Sequence, residues 1–233
     1  MTESNAPRLN SLIPQPPVHE EAEVFSRRMG GLMDGQPKDD ATVSQALSGM
    51  DEMLDVIAAG LYNLASMLVG EGEEGVQLVE TAVADAEVSA CHDPLTGRQS
   101  SRRALCRAAV AMLAQRDPEC LAAPAGEPAR GSCIEDDELE SAGVSRQQLE
   151  DMIAGPDRGR VRQWLAKLPV SVRTVFVLRA VAGISTDETA AILAERGGPR
   201  AAGWQPDAVR EVFRQGLCSL ASQLFHAAST RES

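Results

Sequence analysis

Aromatic side chains are scarce in this 233-residue sequence, because Phe, Trp and Tyr together make up only 3% of it. Ala, Leu and Val dominate instead, a composition that favours helices packed on helices. No apolar run approaches the roughly 18 residues of a membrane span, and no basic-then-apolar signal peptide opens the chain. We therefore expect one or two all-α domains, each with its own core, and no membrane insertion.

Patterns that carry catalysis or metal binding are also missing. No Gly-rich loop follows a predicted strand, and the sequence shows no recognisable Ser/His/Asp or paired-carboxylate catalytic motif. The five cysteines form an odd, scattered set, for which a reduced cytoplasm is the expected location. Cys91-His92 has no second histidine or Cys-x-x-Cys pair nearby, so a loop is favoured over a metal ligand or nucleophile. We expect no enzyme, no cofactor and no metal.

Basic residues are fewer than acidic ones, 22 against 34, which gives a net charge of −12. The imbalance is uneven: residues 1–100 hold 17 acids and 5 bases, whereas residues 151–233 hold 8 acids and 11 bases. The acidic total argues against simple nucleic-acid binding. The mildly basic C-terminal part remains compatible with DNA contact at that end.

Composition and periodicity divide the chain into four segments. Residues 1–40 are Pro-rich near their start and are interpreted as a mostly disordered tail, with a possible short helix over 18–33. Residues 41–116 are predicted to form a helical domain and residues 145–233 a second one. Residues 117–144, with three prolines and the acidic run 135–138, are interpreted as a solvated linker.

The first helical segment shows a long apolar repeat that ends at Gly70 and a second helix that begins with Glu73 and Glu74. The repeat has a three-four spacing: Leu47, Met50, Leu54, Ile57, Leu61, Leu64 and Leu68. The second helix is predicted to bury the stripe Val76, Val79 and Val83. A loop over 91–99 and a third helix over 100–116 follow, with arginines on its outer face.

The C-terminal segment predicts a helix-turn-helix. Ser185 and Glu188 form a Ser-x-x-Glu capping box, so a helix should start there and end near Arg196. A Gly- and Pro-rich turn follows, and Pro206 suits the first position of the last helix. The apolar face of that helix is Val209, Phe213, Leu217, Leu220 and Leu224. Its other face shows Arg210 and Arg214.

These residues resemble region 4 of the sigma-70 family, and the extracytoplasmic-function group in particular. The similar residues are LPVSVRTVFVLR at 168–179, AGIS at 182–185, ETAAIL at 188–193 and AVR at 208–210. The turn is several residues longer than in the family. Residues 61–81 resemble region 2 more loosely, through LYNLA at 61–65, LVG at 68–70 and LVET at 78–81.

The resemblance implies partners and site residues. The implied partners are promoter DNA and the RNA polymerase core, which would be contacted through its β′ clamp and β flap. An anti-sigma factor is a further implied partner. Gln77, Glu80 and Thr81 occupy positions that in the family face the β′ clamp helices. The third helix would approach the −10 element and the last helix would read the −35 element.

Seven arginines are the candidate DNA contacts. Arg210 and Arg214 are expected in the major groove, with Arg196 and Arg200 on phosphates. On the third helix the candidates are Arg102, Arg103 and Arg107. The alternative is that all seven are ordinary surface arginines on helices that pack into a core.

Two rival functions remain open. One is a sigma-like decoy that binds an anti-sigma factor or polymerase without reading DNA, which the acidic charge, the missing aromatics and the long turn favour. The other is a dimeric helix-turn-helix regulator whose front helices form a dimer or effector domain.

Overall fold

The computed structural model describes residues 58–84, 94–124 and 133–229. Contacts divide the chain into residues 1–53 and 54–233, and every described residue belongs to the second unit. The described residues form helices and helical turns and no strand, so the predicted all-α class is confirmed. The predicted helix over 18–33, the first part of the leucine repeat and Cys91-His92 lie outside the described residues.

The described helices follow one another with short connections. In chain order they are residues 58–69 (α1), Glu73–Ala84 (α2), Pro94–Arg116 (α3), Arg146–Ala154 (α4), Arg158–Lys167 (α5), Val170–Phe176 (α6), Thr186–Arg196 (α7) and Pro206–Ser229 (α8). A π-helical turn, Val177–Val181, continues α6, and 3₁₀ turns form at Leu139–Ala142 and Pro199–Ala201. Within the described ranges, no helix combines the length and apolar character needed to cross a bilayer.

Several helix ends lie where the sequence predicts them. Ser145 caps α4 with both hydrogen bonds of a capping box. Ser185 Oγ accepts a hydrogen bond from the Glu188 N–H at the start of α7, so that helix begins as predicted. Pro206 opens α8, where its missing N–H leaves no helical bond unmade. The loop predicted over 91–99 is wrong from Pro94 onward, because α3 begins there.

The predicted buried stripe of α2 is wrong for two of its three valines. Val76 and Val83 are 47% and 58% exposed. The face that is buried instead carries small residues beside one leucine: Gly75, Leu78 and Ala82. A Cβ on Gly75 would lie 3.2 Å from Cε2 of Tyr62, so α2 approaches α1 along its smallest residue. Close approach therefore decides the orientation of α2, which leaves Val76 and Val83 outside while Val79 packs against the core.

An aromatic group joins α5, α6 and α8. Trp164 meets Phe176 edge-on at 5.1 Å between ring centroids, and Phe176 lies 5.8 Å from Phe213. The Trp164 indole N–H donates to Ser219 Oγ at 2.9 Å. A Cβ on Gly216 would be only 2.9 Å from Phe176, which shows how closely α8 lies against α6. Three of the seven aromatic residues of the chain thus lie where the last helix is held.

The long turn between α7 and α8 packs against residues 117–124. Trp204 is 2% exposed and donates its indole N–H to the Leu121 carbonyl at 2.9 Å. The Ala123 N–H donates to the Arg200 carbonyl at 3.0 Å. The extra residues of the turn therefore hold part of the predicted linker in place.

Residues from both predicted domains contribute to one hydrophobic core. Leu105 on α3 and Leu193 on α7 are fully buried in the same cluster, and α3 packs directly against α7. The described parts of the predicted linker join it through Leu121, Ile134 and Leu139. The structure therefore does not confirm an arrangement of two separate domains, and the interpretation of 117–144 as a solvated linker is wrong for these residues.

Candidate nucleic-acid interface

The periodicity of α8 decides which side its arginines occupy. Val209, Phe213 and Leu217 are at most 3% exposed and face the core, as predicted. Arg210 and Arg214 follow the first two of these residues and lie on the partly exposed side. Their side chains are 43% and 28% exposed. The first half of α8 therefore carries a cationic surface of limited accessibility.

Arg179 belongs to the same surface, although the sequence did not mark it as a site. It comes from the π-helical turn after α6, and its guanidinium lies 5.1 Å from the centre of the Phe213 ring, a cation–π distance. Its Nη2 and the Nε of Arg210 both approach Asp137 Oδ2, at 3.3 and 4.0 Å. We call Arg179, Arg210 and Arg214 the arginine face.

Carboxylates of α8 itself engage the arginine face. Asp207 and Glu211, each three residues before its partner, pair with Arg210 and Arg214, the second at 2.7 Å. Glu211 is only 8% exposed, so its pair with Arg214 is partly shielded from water. Both arginines of α8 are therefore paired with a carboxylate one turn earlier on the same helix.

A second acidic group comes from residues 133–138, which we call the acidic strap. Asp137 contacts Arg179 and Arg210, as described above, and the Glu135 carbonyl accepts a hydrogen bond from Arg214 Nη1 at 3.0 Å. The Nε atoms of Arg179 and Arg214 are buried and find no acceptor among the described residues. The strap thus covers the arginine face without satisfying all of its donors.

A disulfide joins the acidic strap to α8. Cys133 and Cys218 are bonded across 85 residues of sequence, with their Cα atoms 5.7 Å apart. The expectation of scattered, reduced cysteines is therefore wrong for this pair. Cys106 and Cys120 carry free thiols, and complete burial raises the pKa of Cys106 to about 12. Spacing alone does not reveal a disulfide partner, so the sequence carried no signal for this pairing.

Arg200 does not join the arginine face. It pairs with Glu119 at 2.7 Å on the segment that follows α3. The hydrogen bond and the negative charge of Glu119 both raise the pKa of Arg200 above its ordinary value. The Arg200 side chain is 64% exposed, so this contact is a surface ion pair.

A different set of predicted arginines surrounds a cavity of about 840 Å³ between α2, α3 and α7. Arg103, Arg107 and Arg196 line it, together with Thr81 of α2. Arg103 is bound to Glu188 at 2.9 Å, which explains why the Glu188 carboxylate does not complete the capping box of α7. We call these three arginines the cavity arginines.

Arg102 does not join the cavity arginines. Burial lowers the pKa of Arg102 below its ordinary value, and the positive charge of Arg98 lowers it further, whereas Glu150 opposes the shift. The charges that act on it, from Arg98 on α3 and from Glu150 and Arg146 on α4, do not line the cavity. The three arginines predicted to act together on that helix are therefore split between two environments.

The residues proposed to meet polymerase lie on the exposed side of α2. Gln77, Glu80 and Thr81 are all exposed, and the Thr81 hydroxyl donates to the Gln77 carbonyl at 2.9 Å. Val76 and Val83 are exposed on the same helix. Polar groups beside exposed valines are available there for contact with another protein.

No group of three or more His, Cys, Asp or Glu side chains suited to a metal ion occurs in the described ranges. In the comparisons with known proteins, no family model, no curated protein and no solved structure matches this chain.

Proposed function

We propose that this chain is a sigma-like transcription factor that binds the RNA polymerase core and places α8 at the −35 element of a promoter. The observation that carries the proposal is the geometry of α7 and α8. Ser185 caps α7, and α8 packs its Val209–Phe213–Leu217 stripe inward while Arg210 and Arg214 remain on the outer side. A helix held in this way can present its first turns to a major groove.

Polymerase binding is assigned to α2. Gln77, Glu80 and Thr81 are exposed beside Val76 and Val83, a mixture of polar and apolar groups that suits a protein partner. With a net charge of −12, the free protein is poorly suited to hold DNA by counterion release alone. Affinity for a promoter would then come mainly from polymerase, in the cytoplasm, and an anti-sigma factor would compete for the same surfaces.

A second candidate is favoured by a specific observation. Arg210 and Arg214 are both engaged by acidic groups of the same chain, and the acidic strap lies across them. A protein in this state would bind polymerase or an anti-sigma factor without reading DNA. The dimeric regulator has no comparable support in the described contacts.

Two assays separate these candidates. A pull-down with purified polymerase core tests binding. Run-off transcription from templates randomised over the promoter region, with the transcripts sequenced, then tests promoter reading. The −35 assignment predicts that an Arg210→Ala/Arg214→Ala double variant binds core normally but loses −35-dependent transcripts. The matched control is Arg158→Ala/Arg160→Ala, which removes two exposed arginines of α5.

The outcomes are distinct. Core binding without transcripts from any template supports the non-reading candidate. Normal transcription by the Arg210→Ala/Arg214→Ala variant would show that the −35 assignment is wrong. Absence of core binding by the parent chain would exclude the sigma-like factor and would leave the second candidate only as a protein that binds an anti-sigma factor.

A further inference from the structure

The acidic strap is held at both of its ends. Cys133 is bonded to Cys218, which follows Arg214 by four residues, about one turn of α8. Ile134 is buried next to that bond. At the other end Leu139 begins the 3₁₀ turn, where its side chain is also buried. The contacts with the arginine face lie between these two anchors.

The polar contacts of the strap are weak when considered one by one. Asp137 is 3.3 Å from Arg179 and 4.0 Å from Arg210, and the Glu135 carbonyl accepts one bond from Arg214. Partly exposed ion pairs of this kind each contribute roughly 0–1 kcal/mol. A covalent link at Cys133 keeps these groups at high effective concentration, so that weak contacts persist. Without the link, the described residues at the N-terminal end of the strap would be held by the burial of Ile134 and by these weak contacts.

We propose that the Cys133–Cys218 disulfide is a redox latch that keeps the acidic strap closed over the arginine face. A dithiol reductant opens it: one thiolate attacks a sulfur of the disulfide, and the S–S bond breaks. The second thiol of the reductant resolves the mixed disulfide. The protein gains two electrons and two protons as two cysteine thiols, and the reductant leaves as its own disulfide. Cys133 is exposed, so a reductant can reach it.

Opening changes what the arginine face can bind. Once Asp137 and the Glu135 carbonyl move away about the Leu139 anchor, Arg210 and Arg214 are free to exchange these partners for phosphate oxygens. That those phosphates belong to a promoter rests on the function proposed above. The latch itself rests only on the strap, the disulfide and the arginines.

The test measures the accessibility of the arginines directly. The full chain, oxidised or reduced with dithiothreitol and then desalted without air, is treated with phenylglyoxal, and modification of each arginine is followed by peptide mass spectrometry. Reduction should accelerate modification of Arg210 and Arg214 about tenfold, the factor that 1.4 kcal/mol of lost contact represents. Exposed Arg158 is the internal reference and should not change.

Variants keep the test independent of any one substitution. Cys133→Ser should show the fast rate with or without reductant. Cys120→Ser, which removes a free thiol and leaves the disulfide intact, should behave as the parent chain. Asp137→Asn weakens the strap without touching the latch and should give an intermediate rate in the oxidised protein. Equal rates for the oxidised and reduced parent would overturn the latch.

Transcription assays in the two redox states separate this inference from the proposed function. Arginines released by reduction without promoter-dependent transcripts would leave the latch standing and exclude promoter reading. Transcription that is the same in both states, with arginines that stay protected, would support the function and exclude the latch. Transcripts that appear on reduction, together with release of the arginines, are the expected result.

Discussion

The arginine face and the cavity arginines contrast in how the same side chain is used. Arg179, Arg210 and Arg214 are covered by the acidic strap and by carboxylates of α8. Arg103, Arg107 and Arg196 line an open cavity of about 840 Å³. Carboxylates are close to both sets, since Glu188 pairs with Arg103. The two sets differ in the acidic strap, which lies over the arginine face.

The contrast shows that the sequence of a basic helix does not determine how exposed its arginines are, because other segments can cover them. The separation between the two sets depends on the turn 197–205, because Arg196 precedes it and Arg210 follows it. That turn is fixed by Trp204 and by the segment 117–124 on which it packs. Changes to the turn, the latch and the helix cap should therefore affect the two sets differently.

The largest effect is expected at the turn. Trp204→Ala should lower the free energy of unfolding by about 3–5 kcal/mol, because it empties a large buried site. It also removes the donor to the Leu121 carbonyl. Urea denaturation followed by circular dichroism measures the change. Gln205→Ala, at the exposed neighbouring position, should stay within about 0.5 kcal/mol of the parent; an equally large loss there would mean that the turn is sensitive for another reason.

The next effect is expected at the latch. Under oxidising conditions, Cys133→Ser should lower the free energy of unfolding by about 2–4 kcal/mol, since the disulfide restricts a long loop of the unfolded chain. With dithiothreitol present, the parent should fall to nearly the value of the variant. Paired urea titrations with and without reductant make the measurement. The prediction would be contradicted if the free energy of unfolding of the parent were the same with and without dithiothreitol.

A smaller effect distinguishes the buried thiol of α3 from the cysteines of the latch. Burial raises the pKa of Cys106 from 9.0 to about 12. Between these values the unfolded thiol ionises while the folded one stays protonated. The thiol contribution to stability is therefore complete below pH 9 and is lost as the pH rises toward 12, by at most about 1.4 kcal/mol per pH unit.

A Cys106→Ala variant checks this sign, because it has no thiol to ionise. Its stability deficit relative to the parent should shrink as the pH is raised from 8 to 10, measured by urea titration at each pH. A deficit that stays constant or grows would show that the Cys106 thiol is not held neutral by the fold.

Helix existence and helix starts were largely predictable from the sequence, because caps and apolar spacing are local. Ser185 and Pro206 begin helices as predicted, and Ser145 begins another through a capping box. The orientation of α2 was not predictable. Gly75 is buried because it has no side chain, and a side chain at this position would come too close to Tyr62. A count of apolar residues predicts that the valine face of α2 is buried. The close approach of α2 to α1 buries the glycine face instead.

The candidate site was predictable only in part for a related reason. The spacing of α8 places Arg210 and Arg214 on its outer side, as the sequence indicates. The contacts that cover them come from Asp137, some 70 residues earlier, and from a disulfide that spans 85 residues. Local sequence patterns do not indicate contacts between residues so far apart in the chain. For the acidic run 135–138, composition alone favoured a solvated linker.

The smallest effects compare two interactions at the start of α7. Ser185→Ala should cost about 1 kcal/mol, because it removes the acceptor for the Glu188 N–H. Glu188→Gln keeps that N–H and removes only the ion pair with Arg103, whose side chain is 50% exposed. Its cost should be below about 1 kcal/mol and should fall further in high salt, which screens exposed pairs. Urea titrations at low and high ionic strength measure both. A salt-independent loss at Glu188 larger than that at Ser185 would mean that the cavity arginines are held as firmly as the arginine face.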